Sequence, residues 1–447
     1  MIILTIALIL FVCFIIPMIF RGINGDDLFS PTMIAFFFLI VTNVPYLVSM
    51  AMDHTLISQL VRWRIPDYEL DISIGYYALV LCIGVLGLLL GLRSKVSNII
   101  VKPIPVFIGN ESQVRYFWAF VFAVLIGLMG YLKFIGDVGG FSVWIQNLQN
   151  RAAFTSGSGY LLTLLYLLNI SVFIYICTFK YKRSLLKYLI LIALVFGVAF
   201  IQTSLGGRKP TLQLIFFCFI VWHFGVSRIK QIPLKMLLVV PIALIYILVI
   251  PIFRSANGPE YYLNNPNYLI SEVKENVGDL THELSYIDHY LLVLDHFSVD
   301  NIWLGKSFID LFYAPIPSSL FPNKPPVDEG VYLRTIAAGQ DVTPPTPFYL
   351  MYPSSLPPET FGTMYMNFWI PGVFVGMYLL GMIYNAAYLY MIKSKYNLYS
   401  ILIYGNILLN FHISNLRITQ TLTNIIIITL FLGIFFFGYK KKYRLVW

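Results

Sequence analysis

Eleven apolar stretches, each near the length needed to cross a bilayer, constrain this chain more than any other feature. They run over residues 2–20, 30–52, 72–92, 115–134, 158–178, 187–205, 211–227, 235–252, 363–391, 397–413 and 421–438. A hydrocarbon core is crossed by about 20 apolar residues of helix. Inside it every backbone N–H and C=O must find its partner within the chain, and uninterrupted stretches of this length do so as helices. The sequence therefore predicts an all-α, polytopic membrane helix bundle with about 11 transmembrane helices. Charged residues make up only 11% of the chain, against about 25% in a soluble domain. The first stretch has no basic start and no small-residue cleavage site, so it reads as a retained helix rather than a signal peptide. Cys13, Cys82, Cys177 and Cys218 all fall inside apolar stretches and read as small apolar residues. Neither a disulfide nor a metal site is expected.

The connections carry an orientation. Taking 93–102, 180–187, 228–235, 393–395 and the tail 440–444 as cytoplasmic collects, with Arg21 and Arg115, eighteen of the thirty Lys and Arg on one side. Only Asp26, Asp27 and Glu111 join them there. That asymmetry is the positive-inside pattern. It accounts for the net charge of +9 as a topology signal, and no nucleic-acid-binding motif accompanies it. The C-terminus is then cytoplasmic, and residues 53–71, 136–159, 206–210 and 253–362 are external.

Three parts follow along the chain: an N-terminal bundle of about eight helices (1–252), a large external loop (253–362) and C-terminal membrane helices with a basic tail (363–447). The loop is too rich in Tyr, Phe, Leu and Pro to stay unfolded. Apolar residues three or four apart, from Leu269 to Leu294, predict one helix near 267–297. His282, His289 and His296 would share one stripe of it. Eleven of the twenty-four prolines fall between Pro315 and Pro358. Such a run cannot continue a helix and fixes a stiff path, suited to the wall of a groove.

Candidate chemistry sits at the span ends. An arginine at membrane depth costs about 2.5–3.5 kcal/mol at a helix centre unless it is partnered. Arg208, Arg254 and Arg417 lie at external span ends and Arg334 in the loop. A guanidinium fork matches the oxygens of a pyrophosphate two at a time. Each could instead snorkel to water or pair with a local acid. Group transfer to a hydroxyl needs a proton acceptor, and the candidates are Glu359 and His282, with Glu283 third. His282–Glu283 lacks the second histidine of a zinc-protease motif. No phosphate-binding glycine loop, dinucleotide fingerprint or nucleophile elbow is present. The sequence thus points away from nucleotide-driven chemistry.

Several short motifs, in order, resemble the oligosaccharide repeat-unit polymerases that build O-antigen and capsule, the Wzy type. They are Gly139–Gly140–Phe141 through Asn150–Arg151 to Gly157–Ser158–Gly159–Tyr160, the Gly207–Arg208 turn, and Leu304–Gly305. Ile316–Pro317 through Phe321–Pro322–Asn323–Lys324–Pro325 follows, then Glu359–Thr360–Phe361, Met366–Asn367–Phe368 and Gly372. The resemblance covers about residues 135 to 390. It implies a GT-C-like membrane glycosyltransferase that passes a growing glycan from one undecaprenyl pyrophosphate carrier to a new carrier-linked unit. No cofactor or metal is expected, and a chain-length regulator is an expected partner. Arg208, Arg254, Arg334 and Arg417 would hold the pyrophosphates, with Arg151 a further candidate. One departure is Ser318, where the family often has arginine; Arg334 or Lys324 would supply the missing cation. An O-antigen ligase would share these features. A polysaccharide transporter or flippase would place charges deep inside its spans, and here the span interiors are nearly free of them.

Overall fold

The structure, a computed structural model, describes residues 2–23, 27–106, 111–148, 159–205, 208–229, 239–253, 255, 258–276, 280–316 and 320–436. Every regular element among them is helical. Among the described residues eight helices are long and apolar enough to cross a membrane, and the chain is a membrane-embedded helical bundle. The other three expected spans fall on the shorter helices Arg208–Gly225, Val239–Phe253 and Leu398–Asn410. The fold divides into two compact units.

The first unit comprises residues 1–103, 278–389 and 410–422. Its helices are α1 (Ile2–Ile23), α2 (Pro31–Met52), α3 (Asp67–Leu92), α4 (Ile287–His296), α5 (Glu329–Ala337), α6 (Glu359–Lys393, to Leu389) and the start of α7 (Asn415–Phe436). Ser30 caps α2 by accepting from the Met33 N–H, with Pro31 at its first position. The main seam joins α3 to α6 through glycine. A Cβ at Gly87 would fall on the Phe374 carbonyl, one at Gly91 on that of Tyr378, and one at Gly381 on that of Leu88. Between apolar helices in lipid there is no hydrophobic drive to associate, so close backbone approach at small residues supplies the contact. Ser97 Oγ extends the seam by donating to the Met382 carbonyl at 3.0 Å.

Helix α6 starts at Glu359, inside the expected external loop, and breaks once. Phe368 and Trp369 leave helical geometry, Trp369 with φ +54°. Pro371 explains part of the break. Its ring nitrogen cannot donate to the carbonyl of Asn367 four residues back. The Leu304 N–H takes that carbonyl at 3.0 Å, and Trp303 takes that of Met366 at 2.9 Å. The loop is thereby fastened to the kink.

The helix expected over 267–297 is interrupted. Leu280–Leu284 and α4 are separate helices, and Pro266–Asn276 precedes residues 277–279, which lie outside the described residues. Ser285 N–H closes a turn on the His282 carbonyl, and Ser285 Oγ accepts from Ile287 N at 3.1 Å. A serine side chain that bonds its own backbone competes with helix continuation. The histidine stripe is lost with it, because the register restarts at Ile287.

The second unit comprises residues 104–277, 390–409 and 423–447. It holds Gln113–Asp137, Gly159–Lys180, Leu185–Ser204, Arg208–Gly225, Val239–Phe253 and the remainder of α7. Tyr131 and Ser204 join hydroxyls at 2.7 Å. Leu185–Ser204 leaves Leu189, Phe196 and Phe200 exposed, as a helix facing lipid does.

Candidate active site

The first unit gathers a buried polar centre where α6 and α7 begin. Glu359 opens α6 directly after Pro357–Pro358 and has φ +47°. A non-glycine residue in this left-handed region is strained, and such strain collects at functional sites. The Glu359 carboxylate is only 4% exposed. Arg417, in the first turn of α7, grips it two ways. Nε donates to both oxygens at 3.1 Å and Nη2 donates to Oε1 at 2.6 Å. Nη1 donates to Gln420 at 3.1 Å. A forked pair of this kind is among the stronger polar contacts a protein makes.

His412 stands beside this pair. Its Nε2 lies 3.9 Å from Glu359 Oε2, and its Nδ1 lies 3.3 Å from Thr360 Oγ1. About a third of its side chain is exposed, unlike the carboxylate. Thr360 Oγ1 also accepts from the Ile413 N–H at 2.9 Å, so residues 412 and 413 are tied to the start of α6.

Three supports hold the centre. His289, on α4, bonds the Pro357 carbonyl through Nδ1 at 3.1 Å, and burial pushes its imidazole below the ordinary histidine value. Tyr290 packs on Phe361 with ring centroids 4.7 Å apart and stacks on Tyr77 at 5.8 Å. Glu329, at the start of α5, accepts from the Asn415 N–H with both oxygens, at 2.9 and 3.1 Å. A carboxylate there satisfies the orphan amide that opens α7, two residues before Arg417. Burial pushes the Glu329 carboxyl up to about 8.

The expected site residues take different places. Glu359 and Arg417 come together, but as partners of one another, so the Arg417 fork is engaged by protein. His282 is engaged elsewhere: its Nε2 lies 3.1 Å from Asp288, whose carboxylate also accepts from Tyr46 Oη at 2.7 Å and Ser58 N at 2.8 Å. Burial raises the Asp288 carboxyl, but the bonds from His282, Tyr46 and Ser58 outweigh it and hold the group below the usual range. Asp288 thus ties α2 and His282 to the start of α4. Lys324 donates to the carbonyls of Ala314 at 3.0 Å and Ile316 at 2.8 Å and pins the proline-rich path. Arg334 lies 4.9 Å over the Tyr352 ring, and its buried Nη1 has no hydrogen-bond partner. Arg208 begins the helix Arg208–Gly225 in the second unit. Arg151 and Arg254 lie outside the described residues.

Sequence reasoning missed His412, Glu329 and Asn415. His412 hid at the end of an expected span. Its signal is compositional: His412, Ser414, Asn415 and Arg417 crowd the junction of two apolar helices. No family model, no curated protein and no solved structure matches this chain.

Proposed function

We propose that this chain is a membrane glycosyltransferase that joins lipid-linked oligosaccharide units, acting at the outer face of a bacterial cytoplasmic membrane. The observation that carries the reading is the His412–Glu359–Arg417 constellation: a part-exposed imidazole beside a buried carboxylate locked by a guanidinium. The resemblance of the chain's motifs to repeat-unit polymerases supplies the substrate class, undecaprenyl pyrophosphate carrying an oligosaccharide. The distribution of basic residues supplies the face.

The geometry favours His412 over Glu359 as proton acceptor. A carboxylate held by three guanidinium bonds is a weakened base, because opposite charge favours its ionised form. In the tautomer that carries its proton on Nδ1, 3.3 Å from Thr360 Oγ1, His412 has its Nε2 lone pair available to accept. It takes the proton of the acceptor sugar hydroxyl as that oxygen bonds the anomeric carbon of the donor glycan. The bond from that carbon to the pyrophosphate breaks, and its electron pair leaves with undecaprenyl pyrophosphate. The imidazolium formed is stabilised by Glu359, which is a positioning residue.

The test uses purified protein in nanodiscs with undecaprenyl-pyrophosphate repeat units and no nucleotide sugar. A ladder of lipid-linked oligomers is expected. In H412Q the ladder should fall by about 10²–10⁴, the usual worth of a general base, with an unchanged melting temperature. Wild-type ladders from H412Q would return the proton-acceptor role to Glu359. Absence of any ladder, with glycan moved instead onto an added lipid A core, would make the chain a ligase using the same centre.

A further inference from the structure

The described residues between Leu304 and Leu320 are built inside out. Two of their polar residues are hidden: Ser307 is 0% exposed and Asp310 1%. Their large apolar residues are bare: Leu304 is 72% exposed, Ile309 47%, Phe312 79% and Leu320 78%. In water this order costs free energy twice, once for each apolar side chain left wet and once for each polar group taken out of water.

The arrangement is fixed. Trp303 and Leu304 hold the α6 kink through backbone bonds. Ser307 donates to Asn367 at 3.1 Å, Asp310 accepts from Tyr332 Oη at 2.7 Å, and Lys324 holds the Ala314 and Ile316 carbonyls. With its polar side pinned inward, the segment cannot turn its apolar side in.

The place of the kink says what faces that side. Before it, Glu359 through Asn367 is wholly buried within the protein. After it, Ile370–Lys393 rises about 36 Å at about 1.5 Å per residue, enough for a hydrocarbon core of about 30 Å. The bilayer face therefore falls near Phe368. Phe368 is itself 39% exposed, and its ring stacks on Phe308. The bare apolar side is thus continuous with the lipid-facing surface of α6. We infer that Leu304, Ile309, Phe312 and Leu320 insert into the bilayer at the headgroup–acyl boundary, making this segment an interfacial anchor of the loop. Lys306, exposed on the same segment, then reaches headgroup phosphates.

Spin labels at F312C and Q340C test this in nanodiscs of phosphatidylethanolamine and phosphatidylglycerol, in a background with the four native cysteines replaced by alanine. Gln340 follows α5 on an exposed turn and serves as the water-facing site. The label at 312 should collide with oxygen at least fivefold more than with a water-soluble nickel chelate, and the label at 340 the reverse. Equal access of both labels to the chelate overturns the inference. Shielding of the label at 312 from both reagents also overturns it and points to a second protein copy. Should the alanine background fail to fold, wild-type chain in nanodiscs carrying an acyl-chain diazirine lipid gives the same contrast. Cross-links on peptides spanning 304–320, with none on 338–343, are expected; the absence of cross-links on 304–320 counts against insertion.

Discussion

At Glu359 a buried charge and a strained backbone coincide, and the charge depends on Arg417. Removing one member of a buried ion pair leaves the other uncompensated and costs about 3–5 kcal/mol. E359Q and R417M should each lower the melting temperature of the purified protein and abolish oligomer formation. The double variant E359L/R417L removes both charges together. It should recover most of the lost stability, since apolar replacement of a whole pair is often neutral, but none of the activity. Recovery of activity in the double variant would mean the pair only holds the helices. A second residue-scale prediction concerns pH. The Glu329 carboxyl is raised from 4.5 to about 8 by burial, against the Asn415 N–H, with Asp328 and Asp310 adding to the rise. The folded state then holds a proton that the unfolded state releases, so this contribution is complete below about pH 4.5 and is lost as pH rises through 8. Melting temperature should fall between about pH 5 and pH 8 in the wild type and level off above, and E329Q should flatten that slope. Glu359 and Arg417 were legible as candidates because charge at a span end is costly and therefore conspicuous. Their pairing was not, since 58 positions separate them and only folding brings the starts of α6 and α7 together.

Between α3 and α6 the contact is backbone on backbone, which makes a methyl group a sharp probe. Gly91 and Gly75 lie on the same helix, but a Cβ at Gly91 meets the Tyr378 carbonyl and one at Gly75 meets nothing within 4 Å. G91A should cut the yield of monodisperse protein on size-exclusion chromatography by at least half. G75A should leave it unchanged or raise it, because alanine is the better helix former by about 1 kcal/mol. Equal yields from the two variants would show that the helices shift apart at little cost. Periodicity performed well for these long elements and poorly between 267 and 297. Apolar spacing there continues through Ser285–Tyr286, and a spacing rule cannot see a serine side chain closing on its own backbone. The α6 break was half legible: Pro371 is visible in the sequence, but the N–H groups that accept its consequence come from residues 303 and 304.

Over the whole chain, the bilayer was the most legible partner. Apolar length alone set the class, and the eight long helices fall where the hydropathy placed spans. Orientation rests on a different physical term, the reluctance of Lys and Arg to be carried across the membrane. It predicts that the proline-rich loop is external and the tail 440–444 cytoplasmic. The three shorter helices decide the parity between the two ends: Arg208–Gly225, Val239–Phe253 and Leu398–Asn410 must all cross for eleven spans. Reporter fusions read this directly. Green fluorescent protein fused after Trp447 should fluoresce, since it folds in the cytoplasm. Alkaline phosphatase inserted after Gln340 should be active, since its disulfides form outside. Two further phosphatase fusions, one in the basic stretch 228–235 and one between Ser255 and Gly258, separate the shorter helices from one another. Inactivity at 228–235 with activity at 255 requires Arg208–Gly225 and Val239–Phe253 both to cross. An inactive fusion at 340 would place the loop inside, since no long apolar helix separates Gln340 from Glu359 among the described residues, and would overturn the orientation on which an external His412–Glu359–Arg417 centre depends.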